Sequence, residues 1–272
     1  MRFMRSNFNR ALYSGAVGTE LLLERVLDRI TPPPDAGSPL VREVTALVKT
    51  FERPNVLQRL IGSIKRVYPD LGVIVVDDSR HPVELDGVTT IAMPYDTGIS
   101  AGRNEGLRHV TTKYVLLLDD DVVLFRGTGL GKALAKIEQH AEIDIMGGQL
   151  VELPSLQPRP PAYVTGTVFS TDATPRLQIG STVGGLTVCT KVSNFFLARR
   201  DRLRLVPWDP ELKRMEHADF FTRALGVLVT VFNPDLKCLH ARTPFDSAYM
   251  AKRLDLAASR QILADRYGGG NS

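Results

Sequence analysis

The stretch Val115-Leu116-Leu117-Leu118-Asp119-Asp120-Asp121-Val122-Val123 ends an apolar run on three consecutive carboxylates. Buried strands read as continuous apolar runs of roughly 4–8 residues, and in parallel α/β sheets ligands bind just beyond the carboxyl ends of such strands. Gathering negative charge there is costly unless a cation neutralises it. In an extended chain Asp119 and Asp121 point to one face, about 7 Å apart, and Asp120 to the other. One same-face pair can then share a hard divalent ion and its ligand. A plain polar turn after a strand is the alternative, since Asp is common in turns.

A second strand end has the same design. Val73-Ile74-Val75-Val76-Asp77-Asp78-Ser79 brings further acids to the edge of an apolar run. Asp77 is placed to accept hydrogen bonds from a ribose or base, as acids after nucleotide-binding strands do, while Asp78 and Ser79 could equally cap a turn or helix. Between the two strands lies Asp96-Thr97-Gly98-Ile99-Ser100-Ala101-Gly102-Arg103-Asn104-Glu105-Gly106. Its glycines permit close backbone approach at a helix start, Ser100 can cap that helix, and Arg103 offers a planar cation to phosphate or base.

Around these motifs the chain alternates strands and helices. The pattern predicts strand Val44–Thr50, helix Pro54–Val67, strand Gly72–Val76, a short strand near Val88–Ala92, helix Ser100–Val110 and strand Tyr114–Leu118, then helix Gly129–His140 and strand Asp144–Leu150. Such alternation argues for a parallel sheet with right-handed crossovers. Residues 154–175, rich in Pro, Thr and Ser, and the Gly-rich 178–190 read as loops and a hairpin. Val192–Ala198 reads as a strand, Glu216–Leu225 as a helix, Val227–Phe232 and Leu236–Leu239 as strands. The tail Ala248–Tyr267 reads as one helix, its stripe formed by Met250, Leu254, Ala257, Ala258, Ile262 and Leu263, ended by Gly268-Gly269-Gly270.

Composition limits the remaining classes. With 272 residues, 43% of them hydrophobic and 24% charged, the chain is an ordinary globular one with a sizeable core. The net charge of +4 is spread along the chain among acids, which argues against a nucleic-acid partner. Cys189 and Cys238 have no metal-ligand spacing, so reduced core thiols in a cytoplasmic protein are expected. No run approaches the ~20 apolar residues of a membrane span. Residues 16–30 form an amphipathic helix that could dock on the main domain, pair with a partner or rest on a membrane surface with help from Arg2, Arg5 and Arg10. Its polar face mixes acids and bases, which favours docking or pairing. The Pro-rich 31–39 segment is a linker, placing a helical extension at 1–40 and the main domain at 41–272.

Taken in order, Thr50-Phe51-Glu52-Arg53-Pro54, Val76-Asp77-Asp78-Ser79, Ala101-Gly102-Arg103-Asn104 and the Asp triplet resemble the nucleotide-binding signatures of family 2 type glycosyltransferases with the GT-A fold. Lys49-Thr50-Phe51, the run from Val110 into the triplet, Val192-Ser193-Asn194-Phe195-Phe196-Leu197-Ala198-Arg199 and His217-Ala218-Asp219-Phe220-Phe221 are similar to ganglioside-type β-1,4-N-acetylgalactosaminyltransferases. The resemblance spans about Val44 to Ala241. It implies a nucleotide-binding half at 41–126, an acceptor and catalytic half at 127–245 and a C-terminal helix at 246–272.

What it implies chemically is inverting transfer of a sugar, N-acetylgalactosamine first, from a UDP-sugar to a hydroxyl of a glycan or glycoconjugate, assisted by Mn²⁺ or Mg²⁺. The donor would be met by Thr50, Arg53, Asp77, Asp78, Arg103, Asp119 and Asp120, with Thr50 and Asp77 at the base and Asp119 at the ribose. Asp121 and His240 would hold the metal. Asp219 would be the general base, with Glu216 in reserve; first-turn acids also favour helices through the dipole. Phe220 and Phe221 read as core, and Trp208 as either a sugar platform or a loop anchor. A non-catalytic nucleotide-sugar or carbohydrate-binding protein on the same fold, or an Mg²⁺-dependent phosphotransfer-type α/β protein, are the competing readings. A Rossmann dehydrogenase is disfavoured because Thr50–Pro54 stands where G-x-G-x-x-G should follow the first strand.

Overall fold

Along the chain, α1 (Asn7–Ile30) and a 3-10 turn (Pro39–Glu43) lead into β1 (Val44–Thr50), α2 (Pro54–Val67), β2 (Gly72–Asp77), β3 (Thr89–Ala92), α3 (Ile99–His109), β4 (Tyr114–Asp119), β5 (Val122–Val123), α4 (Leu130–Gln139), β6 (Ile145–Glu152) and β7 (Gln157–Pro158). Then follow β8 (Thr182–Val183), β9 (Leu186–Val188), β10 (Phe195–Arg199), α5 (Arg200–Leu203), α6 (Glu216–Ala224), β11 (Thr230–His240), α7 (Ser247–Arg253) and α8 (Ala257–Tyr267). This computed structural model describes residues 7–31, 33, 35, 37–160 and 168–268. Arg2, Arg5, part of the 31–39 linker, the 161–167 portion of the predicted loop and Gly269-Gly270 lie outside the described residues.

The central strands are apolar on both sides because each side meets its own layer of helices. Ala46 and Val48 of β1 pack with Leu57, Leu60 and Ile64 of α2, whereas Leu47 turns to Leu107 of α3. Val73 and Val75 oppose Ile74 and Val76 in the same way. Strands β3, β2, β1 and β4 run parallel in that order, so the carboxyl ends of β1, β2 and β4 meet at one edge. Beyond β4 the sheet is mixed. β10 lies antiparallel between β4 and β6, and β11 runs parallel to β6. The result is a mostly parallel α/β sheet in its first half and a mixed second half.

Several boundaries differ from the sequence reading for physical reasons. The two strands read at Val227–Phe232 and Leu236–Leu239 are one strand, β11, whose register against β6 shifts between Asn233 and Lys237. Pro234 cannot donate to a ladder, and the extra residues are accommodated as a bulge. The tail is two helices, because the chain turns at Leu254–Leu256; Leu254 is exposed, while Leu263 alone of the named stripe is buried, beside Phe169 and Leu212. The hairpin expected in 178–190 is β8–β9, turned by Gly184 and Gly185, both at positive φ as a two-residue hairpin turn requires. Cys189 and Cys238 are buried free thiols.

α1 docks on the main body. Val17, Tyr13 and Leu21 pack with Val123, Leu239 and Ala241, and the Asp28 carboxylate accepts from Arg66 Nε and the Arg126 N–H, both at 2.8 Å. Its outward side carries exposed Leu12, Leu22, Leu23, Val26 and Ile30. Among the described residues no helix is long and apolar enough to cross a membrane.

α3 lies close on the sheet because Gly106 offers no side chain there. A Cβ at Gly106 would stand 2.3 Å from Leu47 Cδ1 and 2.8 Å from Val76 Cγ2, both fully buried. Gly106→Ala is therefore expected to lower stability, since overpacking of about 1–3 kcal/mol exceeds the roughly 1 kcal/mol of helix propensity gained. Gly62→Ala in α2, where a Cβ meets nothing within 4 Å, should instead raise it. Urea denaturation of both variants checks the opposite signs.

Candidate active site

The chain leaves β4 through a turn at Asp120-Asp121 before entering β5. That turn breaks the strand alternation on which the sequence reading placed Asp120 away from its neighbours. All three carboxylates border one cleft of about 650 Å³. Each has its own basic partner, drawn from a different segment.

Asp119 Oδ1 accepts from Arg103 at 2.9 Å, and Arg103 also donates to Glu216 Oε1 at 2.7 Å. Asp120 is gripped by Arg53 through both carboxylate oxygens, with Nε at 3.2 Å from Oδ2, while Thr50 Oγ1 donates to Oδ2 at 2.8 Å. The Arg53 guanidinium lies 3.8 Å from the Tyr249 ring centroid and 3.5 Å from Asp121 Oδ2. Asp121 Oδ1 is 3.4 Å from His240 Nε2. β5 and β11 make that last meeting possible: His240 pairs with Val122, and the Ala241 N–H donates to the Asp121 carbonyl at 2.9 Å.

Burial pushes Asp120 up, to about 6, against the pull of Arg53 and with Asp121 adding to the rise. Burial acts on Asp121 in the same direction, but the His240 hydrogen bond and charge, with Arg53, hold it well below the ordinary carboxylate range. His240 is itself oriented from behind. Glu152 stands opposite it in the β6–β11 register, with Oε2 3.1 Å from Nδ1, the carboxylate–imidazole pairing that aims metal-binding histidines. Arg159 approaches the same ring nitrogen at 3.0 Å.

Asp121 and His240, side by side at the cleft, are the pair that could hold a divalent cation. Among the described residues no group of three or more His, Cys, Asp or Glu side chains is arranged to hold a metal. The donor set fits Mn²⁺ or Mg²⁺ bound through few protein ligands plus phosphate oxygens and water, rather than a closed structural site.

The remaining nominated residues divide between the cleft and its support. Asp78 borders the cleft, ion-paired to Lys49 and accepting from the Gly98 N–H at 2.8 Å. Asp77 does not. Its oxygens accept from the N–H groups of Ser79 at 2.9 Å and Val83 at 3.0 Å, so it shapes the loop after β2 instead of meeting a base. Arg103 is fully buried behind the cleft wall and acts through Asp119 and Glu216. Thr50 spends its hydroxyl on Asp120. Ser100 does not cap α3; Gly98 does, at φ 105°, and Ser100 Oγ donates to the Leu212 carbonyl at 2.6 Å.

Asp219 is the clearest correction. It is fully buried outside the cleft lining, accepting from Arg223 at 2.9 Å, Arg266 at 2.6 Å and Tyr267 at 2.8 Å. It ties α6 to α8. Glu216, three residues earlier, faces the cleft. Trp208 is a loop anchor: it stacks on Phe220 at 4.7 Å, and its backbone is held by both ends of the Asn104 amide. Phe220 and Phe221 are core.

The cleft also has members that the sequence did not single out. Lys252 of α7 lies 4.2 Å from the Phe51 ring and 4.7 Å from that of Tyr95. His217 and Asn194 border the cleft opposite, with His217 Nδ1 2.8 Å from Asn194 Oδ1. Both stood inside quoted motifs. Nothing in the sequence pairs Glu152 with His240, because that depends on strand register.

Residues 45–204 match the glycosyl transferase family 2 profile. The chain is 38% identical over 207 residues to β-1,4 N-acetylgalactosaminyltransferase 2 of Mus musculus, an alignment covering 74% of this chain and 40% of that protein. It is 36% identical over 216 residues to β-1,4 N-acetylgalactosaminyltransferase 1 of Homo sapiens, with the same coverage. The chain therefore spans about 40% of the length of these curated relatives. Among solved structures, S. aureus TarS 1–349 in complex with UDP-GlcNAc superposes with a TM-score of 0.56 at 17% identity, over 82% of this chain and 66% of that one.

Because Asp219 joins two helices, Asp219→Ala should cost about 2–3 kcal/mol, below the full value for a buried pair since Arg223 and Arg266 are partly exposed. Urea titration measures it. His217 carries a second prediction. Burial holds its ring down to about 4, so the folded state binds fewer protons than the unfolded chain between about pH 6.5 and 4. Its contribution to stability is present above that window and falls as pH drops through it. His217→Gln should flatten that part of the Tm–pH curve relative to wild type.

Proposed function

The chain belongs to glycosyl transferase family 2, and from that premise we propose that it transfers a sugar, N-acetylgalactosamine first, from a UDP-sugar to a hydroxyl of a glycan or glycoconjugate. The transfer inverts the anomeric centre and uses a divalent cation. The observation that carries this reading is the convergence of Asp119, Asp120, Asp121 and His240 on one cleft whose volume, about 650 Å³, suits a nucleotide sugar. The two N-acetylgalactosaminyltransferase relatives and the UDP-GlcNAc complex of TarS support the donor class.

In this reading the wall formed by Phe51 and Lys252 receives the base, and Asp78 with Lys49 borders it. Asp119, half exposed and fixed by Arg103, takes the ribose hydroxyls. Asp121 and His240 would hold Mn²⁺ or Mg²⁺, which supplies positive charge where the departing diphosphate gains negative charge. Arg53 keeps Asp120 and Asp121 neutralised from the protein side, and Lys191, Lys213 and Arg242 along the walls complement the phosphates. The acceptor hydroxyl approaches from the α6 side, opposite the leaving group, as inversion demands.

A panel of UDP-sugars tested with Mn²⁺ and EDTA examines the donor and the metal together. Wild type should turn over one sugar in a Mn²⁺-dependent way. Asp121→Ala and His240→Ala should each lose ~10²-fold or more, the scale of a lost electrostatic stabiliser. Turnover by Asp121→Ala that is undiminished and indifferent to EDTA would sink the metal assignment, and retained anomeric configuration by NMR would sink inversion.

A further inference from the structure

Inverting transfer needs a group to receive the acceptor hydroxyl's proton, and neither carboxylate of α6 suits that task. Asp219 is sealed between helices, and Glu216 already has its Oε1 committed to the Arg103 guanidinium at 2.7 Å. His217, which follows Glu216 in sequence, does face the cleft. His217 Nδ1 lies 2.8 Å from Asn194 Oδ1, and the Asn194 amide nitrogen donates to Asp119 Oδ2 at 3.4 Å. An amide oxygen only accepts, so Nδ1 carries the hydrogen and Nε2 keeps its lone pair. The ring is held edge-on by Phe221, centroids 5.1 Å apart, which fixes its plane.

We propose that His217 Nε2 is the proton acceptor of the transfer and that Asn194 is its positioning residue, linking it to Asp119 on the donor side. The inference rests on the glycosyl-transfer reading above. In the step, the acceptor oxygen forms its bond to the anomeric carbon while the bond from that carbon to the phosphate oxygen breaks. The bonding pair leaves with the nucleoside diphosphate. The hydroxyl proton passes to Nε2, and the imidazolium, still bonded through Nδ1–H to Asn194, releases it to solvent after product departs.

The charges around the ring suit this role. Burial, Arg103 and Lys191 lower its pKa while Glu216 and the Val192 carbonyl raise it, leaving the imidazole neutral. A diphosphate bound nearby adds negative charge and moves the ring's pKa upward, toward the range where a base works best.

The 272-residue chain labelled with ¹⁵N-histidine, titrated with Mg²⁺–UDP, tests the assignment without needing the acceptor. The expected result is a neutral His217 ring protonated at Nδ1 at pH 7, with its pKa rising when Mg²⁺–UDP binds. A neutral ring that carries its single hydrogen on Nε2 in that complex overturns the proposal. In turnover, His217→Gln should lose ~10²–10⁴-fold while its Kd for Mg²⁺–UDP stays within about threefold of wild type, and added imidazole should partly rescue His217→Gly. A His217→Gln enzyme that binds UDP and loses less than tenfold, with Glu216→Gln losing more, also overturns it. A wild-type chain that fails to bind Mg²⁺–UDP removes the donor reading, an outcome distinct from binding with the wrong tautomer.

Discussion

Three adjacent carboxylates at the end of a buried strand can coexist only if a basic side chain meets each of them, and the rest of this cleft is organised around that requirement. Asp119 meets Arg103 from the helix after β3, Asp120 meets Arg53 from the start of α2, and Asp121 meets His240 from the end of β11. These three partners are distant in sequence. Removing a partner from a buried charge costs far more than the pair contributes, so the triplet constrains three segments of the chain at once.

The first half of the sheet was legible from sequence because its signals are local. Apolar runs, Gly-containing helix starts and acids at strand ends predict β1, α2, β2, α3 and β4 within a residue or two, since a strand buried on both faces has little freedom in composition. The second half was harder. β10 enters antiparallel between two strands distant in the chain, and the Asn233–Lys237 bulge joins what look like separate strands. Neither is a local property.

Residue types at the site were easier to read than their jobs. Arg103 and Asp219 sit in motif positions, yet both serve as supports, one behind the wall and one between α6 and α8. Asp77 turns its carboxylate to two backbone N–H groups. In each case a buried charge is satisfied by partners whose sequence separation gives no cue: 113 residues between Arg103 and Glu216, 48 between Asp219 and Tyr267. His217 and Asn194 lay within recognised stretches, but their hydrogen bond is what gives them a shared orientation.

The bulge in β11 has a further consequence. Asn233 pairs with Gly148 and Lys237 with Gln149, so three extra residues are taken up before His240 reaches its place opposite Glu152 and beside Asp121. Side chains alternate faces with every residue, which makes this segment a spacer measured in whole residues. Its chemistry is free to vary more than its length. A single insertion or deletion between Asn233 and Lys237 would leave the sheet's composition unchanged and still turn the histidine to the wrong side.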